Sequence, residues 1–139
     1  SNLVPAFAAL AVVSLMPVVW KKFFARHERH RNAAQAGMKA IGLELFAEEG
    51  YGSPAITAVL PKNVDAEKLR KVVKEKFDIL LAGGQDHLKG KIFRIGHLGF
   101  VSDRDVLTAV ASIEASLDYL DLLNVNIGAG VAAAAAAMK

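Results

Sequence analysis

The sequence has no cysteine. Disulfides, thiolate-bound metals and thiol nucleophiles are therefore excluded. It also lacks any basic strand studded with aromatics of the kind that stacks RNA bases, so no nucleic-acid partner is expected. No internal repeat is evident. The glycines carry no phosphate-loop or dinucleotide fingerprint; Gly83-Gly84 and Gly90 read as turns. The chain opens at Ser1-Asn2 without an initiator Met, as a processed protein or part of a longer one would.

One further lack is local. From Leu3 to Trp20 there is no charge over about 18 residues, and then Lys21-Lys22 follow. As a helix rising about 1.5 Å per residue, the run reaches about 27 Å, enough to cross a bilayer core. Pro5 suits a first helical turn, whereas Pro17 predicts a kink or loosening. The expectation is a single-pass anchor over residues 1–22. Leu3, Phe7, Leu10, Val13, Leu15 and Trp20 would lie in it, and Lys21 and Lys22 would mark the membrane interface. Ala6, Ala8, Ala9, Ala11 and Ser14 permit close packing against other transmembrane helices, so integral membrane subunits and the lipid bilayer are the expected partners. A helix buried in a larger assembly is the alternative. The net charge is +3 with a pI near 9.3, and the positive charge gathers between Lys21 and Arg31. That cluster fits an anionic membrane surface better than a nucleic-acid groove.

Residues 23–123 read as one amphipathic α/β domain, and 124–139 as an Ala-rich tail or short helix. Arg26–Ala40 is predicted helical. Gly42–Gly50 contains a short apolar stretch, and Ala55–Leu60 reads as a strand ending at Pro61. Asp65 is the expected N-cap of a helix over Ala66–Phe77 with Leu69, Val72, Val73 and Phe77 inward. Ile79–Ala82 and Lys91–Ile95 read as strands, the latter with Ile92 and Arg94 on one face and Phe93 and Ile95 on the other. Ser102 and Asp105 form a capping box for a helix whose core face is Val106, Val110, Ile113, Leu117 and Leu120. The expected fold is α+β, a small mixed sheet covered by helices and preceded by one transmembrane helix.

Three segments carry a family resemblance: ARHERHRNAAQAGMKAIGLELF, AITAVLPKNVDAEKLRKVV and LAGGQDHLKGKIFRIGHLGFVSDRDVL. From about Phe24 to Lys139 the chain resembles the C-terminal small domain of class V, fold-type I aminotransferases, nearest to the alanine– and serine–glyoxylate types. IGAGVAAAAAAMK resembles the tail of the serine–glyoxylate type of photosynthetic organisms. The resemblance implies one functional residue, Arg94, whose counterpart binds the substrate carboxylate. A guanidinium fork matches both oxygens of a carboxylate. It also implies what this stretch lacks. The Schiff-base lysine, the acidic partner of the pyridinium nitrogen and the phosphate cup lie in the family's large domain. No cofactor is expected, pyridoxal phosphate entering only with a large domain, and no catalytic residue is assigned.

The remaining polar signals are weak. His27 and His30 share a helical face but lack a third ligand, so no metal is expected. His97 belongs to the resembling motif and is expected to order a loop. Glu48-Glu49 and Asp103/Asp105 read as loop and cap residues. Together the apolar start and the small domain suggest a non-catalytic, membrane-anchored accessory subunit of a larger complex. The photosynthetic resemblance suggests a chloroplast thylakoid setting such as a photosystem, with the domain on the stromal side. The alternative is the C-terminal part of a pyridoxal-phosphate-dependent alanine/serine–glyoxylate aminotransferase without its large domain.

Overall fold

The computed structural model describes the backbone of residues 3–46, 56–96 and 102–139, with side chains from residue 16 onward within those spans. Its elements run α1 (Leu3–Ala40), β1 (Glu44–Leu45), β2 (Ile56–Leu60), α2 (Ala66–Phe77), β3 (Ala82–Gly83), a 3-10 turn (Asp86–Leu88), β4 (Phe93–Gly96), α3 (Asp103–Tyr119) and α4 (Ala129–Ala137). Four strands in the order β1-β2-β4-β3 form one sheet whose neighbours are all antiparallel. The expected mixed sheet is thus corrected. Helix α2 does cross over, from β2 to β3, but β4 lies between those two strands and runs antiparallel to both, so no parallel pair forms.

Local chemistry explains the best-read elements. Asp65 accepts from the backbone N–H groups of Glu67 (2.7 Å) and Lys68 (3.3 Å), starting α2 at Ala66 as expected. Asp78, left-handed at φ 54°, ends it. Ser102 and Asp105 close the capping box of α3, the Ser102 N–H donating to Asp105 Oδ2 at 3.0 Å. Two strands are shifted. Residues 79–81 lie outside β3, which covers only Ala82 and Gly83, and β4 begins at Phe93. Leu81 is buried in the core, while Leu80 is 78% exposed.

The main core lies between one face of the sheet and the helices. Val59, Phe93 and Ile95 pack with Met38 of α1, Leu69 and Val73 of α2, and Val106, Val110, Ile113 and Leu117 of α3. Of the expected inward face of α2, Phe77 is instead exposed. The Ala-rich segment is α4, which packs along α1 and α3 and buries Ala134. Its N-terminus is held by Glu114, a carboxylate only 3% exposed that accepts from the N–H groups of Gly128 (2.8 Å) and Gly130 (2.6 Å). A carboxylate there meets the positive end of the helix dipole. Gly130 must stay bare, because a Cβ would lie 2.7 Å from Ile41 and 2.9 Å from Glu114.

The anchor expectation is overturned. Among the described residues no helix is long and apolar enough to cross a membrane. The apolar run is the first part of a longer helix. The stretch containing Leu3, Phe7, Leu10, Val13, Leu15 and Trp20 does not end at Lys21 and Lys22, and Pro17 does not interrupt it. One 38-residue helix runs on to Ala40. Its later turns carry Arg26, Glu28, Arg29, Arg31 and Lys39, and pack on α3 and α4. Pro17 removes one i→i−4 hydrogen bond and its ring crowds the carbonyl four residues earlier, a cost of about 3 kcal/mol that the helix carries without ending there.

Candidate carboxylate-binding site

Strand alternation sorts β4 into two faces. Phe93 and Ile95 enter the core, so Arg94 falls on the face away from the helices, opposite Ala58 of β2. A second, smaller apolar cluster of Ala58, Leu88 and Ile92 lies on this face, with Phe46 and Leu60 packed against it. Arg94 is half-buried beside it.

The position of the guanidinium follows from the edge strand. Ala82 pairs with Arg94, and the Gly84 N–H donates to Ile92 O at 3.2 Å. In an antiparallel pair every second residue turns its carbonyl away from its neighbour, so Leu81 O and Gly83 O face the open edge. Arg94 Nε reaches over β3 and donates to Gly83 O at 2.9 Å. With Nε engaged, the two terminal nitrogens are the pair that would form an end-on fork, the geometry that accepts both oxygens of a carboxylate. Among the described residues no acidic side chain forms an ion pair with Arg94.

Glycine is required at the adjoining turn. A Cβ at Gly84 would lie 2.2 Å from Leu88 O, and one at Gly83 2.6 Å from Arg70 Nη1. Gly90 turns with φ 80°. Gly90 lies in a turn as read from the sequence, whereas Gly83 belongs to strand β3 and Gly84 follows it, their missing side chains leaving room for Arg70 and Leu88.

A pyridoxal cofactor does not fit these residues by themselves. Its Schiff-base lysine must be buried beneath the cofactor, yet every lysine of the chain is exposed. Several are spent on the surface: Lys62 pairs with Glu44, Lys71 with Glu75, Lys74 with Asp78, and Lys76 lies over Tyr119. Among the described residues the arrangement brings together a guanidinium and an open sheet face, with no lysine buried for covalent catalysis.

The other polar cluster straps α1 to the start of α3. Asp103 accepts from Arg29 Nη2 (3.0 Å) and lies 3.0 Å from Nε2 of the fully buried His30. The Arg29 hydrogen bond, foremost, holds the Asp103 carboxyl below its usual range. His27 is buried against Phe23, ring centroids 4.1 Å apart, and burial lowers its pKa, with Arg26 and His30 adding repulsion. Among the described residues no three metal-ligating side chains gather. Asp103, read from sequence as a cap, is chiefly an ion-pair partner across 74 residues, which no local pattern could signal. His97 and Glu48-Glu49 lie outside the described residues.

Trp20, Phe23 and Phe24 form an aromatic cluster on α1, Trp20 stacking on Phe24 at 5.5 Å. Trp20 remains 48% exposed and Phe24 57%. Lys21 and Lys22 are exposed beside them.

No protein-family model matches the chain. Curated relatives do. The chain is 58% identical over 115 residues to the soluble hydrogenase 42 kDa subunit of Anabaena cylindrica, covering 83% of this chain and 30% of that protein. Aminotransferases match over the same part, among them ureidoglycine–glyoxylate, aspartate–glyoxylate and serine–glyoxylate enzymes at 34–38% identity. Among solved structures, ureidoglycine–glyoxylate aminotransferase of Bacillus subtilis superposes with a TM-score of 0.73 at 34% identity, over 81% of this chain and 30% of that one. Pyridoxamine–pyruvate aminotransferase of Mesorhizobium loti gives 0.75 at 28% identity, over 94% of this chain and 33% of that one. A match of that extent includes most of the apolar run, so a helix of an aminotransferase stands where the sequence suggested an anchor. The names of these relatives also run against integral membrane partners, a thylakoid location and a photosystem role, none of which any of them carries. The chain spans about 30% of the length of the curated relatives it matches. It is homologous to the C-terminal small domain of the class V aminotransferases.

Proposed function

We propose that this chain is the carboxylate-binding small domain of a pyridoxal-phosphate-dependent aminotransferase of the alanine/serine–glyoxylate type, inactive alone. The cofactor, its lysine and the phosphate cup would come from a large domain beyond these residues. This replaces the membrane-anchored accessory subunit. One observation carries the reading: Arg94, held by Gly83 O, presents an end-on fork with no acidic partner among the described residues. An amino acid and the keto acid it becomes share only their carboxylate as a permanent charge. A fixed guanidinium can therefore hold both while the chemistry proceeds elsewhere. The open sheet face around Arg94 and the exposed Trp20–Phe24 cluster are the surfaces such a large domain would cover.

The test is to purify the native protein that carries this chain, record its absorption spectrum and assay transamination of glyoxylate. A pyridoxal band is expected, and Arg94→Leu should lower kcat/KM for the carboxylate substrate about a hundredfold, the loss expected for a charge-assisted pair. Absence of both pyridoxal and transamination would overturn the proposal. A second reading, a hydrogenase-associated subunit, is favoured by the identity to the Anabaena protein. With no cysteine, this part could hold no thiolate-bound cluster and would serve such an assembly only in a non-redox role.

A further inference from the structure

Both carbonyls that edge strand β3 and its approach turn outward are occupied by arginines, and the two arginines come from different elements. Arg94 of β4 donates to Gly83 O, and Arg70 of α2 donates through Nε to Leu81 O at 2.7 Å. Arg70 is itself oriented by Glu67, whose Oε2 lies 2.6 Å from Nη1. The Arg70–Glu67 pair also lies against Gly83, within 2.6–2.8 Å of where a Cβ would stand. β3 is only two residues long and has a neighbour on one side alone, so its own ladder fixes it weakly. The carbonyl that aims Arg94 thus belongs to a strand whose outer side is secured from α2.

We infer that Arg70 is a positioning residue for the Arg94 carboxylate clamp: pinned by Glu67, it holds β3 in register so that Gly83 O fixes the Arg94 fork. This rests on the reading of Arg94 as the carboxylate-binding residue. A lysine at position 70 keeps the charge beside Glu67 but has no second nitrogen fixed in a planar fork, so it cannot hold both partners in that geometry.

The test uses the native protein carrying this chain, with Arg94→Leu, Arg70→Lys and Arg70→Ala variants. Two readouts are taken: the dissociation constant of 13C-labelled acetate, from NMR line broadening, and backbone hydrogen exchange over residues 79–84. Arg94→Leu should abolish acetate binding. Arg70→Ala should weaken it about tenfold, and Arg70→Lys several-fold with the thermal midpoint retained, both with faster exchange in residues 79–84. If Arg94→Leu leaves acetate binding intact, the reading of Arg94 itself fails. If Arg94→Leu abolishes binding but Arg70→Lys leaves it within about twofold, the positioning role is overturned while Arg94 stands. Should Arg70→Ala fail to fold, Arg70→Lys decides. Lower stability with unchanged acetate affinity in either Arg70 variant would mark a merely structural contact and sink the inference.

Discussion

The two halves of α1 invert the usual relation between residue type and burial. Val18, Val19, Trp20 and Phe24 are apolar and 48–57% exposed, whereas His27 and His30, one and two turns later, are 5% and 0% exposed. Nothing in the helix itself separates them. What differs is the company: the later half lies under α3 and α4, where Arg29 and His30 Nε2 meet Asp103 and the His27 ring is buried against Phe23, while Val18, Val19, Trp20 and Phe24 are left exposed. An apolar stretch is therefore evidence that something covers it, and lipid is only one such cover. Here the aminotransferase match extends over most of it.

That contrast can be broken from its buried side first. Met38→Ala empties a fully buried position and should cost about 2–5 kcal/mol in denaturant unfolding. A loss below about 1 kcal/mol would mean that this half of α1 is not part of the core.

A smaller effect should follow pH. Burial lowers the His27 pKa from 6.5, so between 6.5 and that lowered value the unfolded chain binds more protons than the folded one. Stability is then complete above pH 6.5 and declines as pH falls below it. Asp103, its pKa also lowered, contributes above its ordinary range near 3.8 and is lost only in stronger acid. Unfolding midpoints at pH 7.5 and 5.5 should differ in the natural protein and converge in His27→Leu; an unchanged slope would mean that His27 titrates as in the unfolded chain.

The smallest change is expected on the exposed side. Trp20→Ser should alter the stability of this chain by no more than about 0.5 kcal/mol, as surface substitutions do. Measured in the native protein that carries the chain, a loss well beyond that would show that another segment seats on the Trp20–Phe24 cluster and would sharpen the contrast between the halves.

Some of this molecule was legible in the residues themselves. Asp65 and the Ser102–Asp105 box set the starts of α2 and α3 because capping is chemistry among neighbours within three residues. The alternation about Phe93 and Ile95 placed Arg94 on the opposite sheet face for the same local reason, the period of a strand. The resembling segments led to the family, since about 116 residues carry far more information than any single motif. Tertiary structure alone decided the rest. Whether the apolar run met lipid or protein depended on a surface beyond the helix. The antiparallel order β1-β2-β4-β3, the Asp103 strap, the Glu114 cap on α4 and the Arg70 hold on Leu81 O join residues 11 to 74 positions apart. Hydrogen bonds and packing act on distance in space, and only folding turns separation along the chain into proximity.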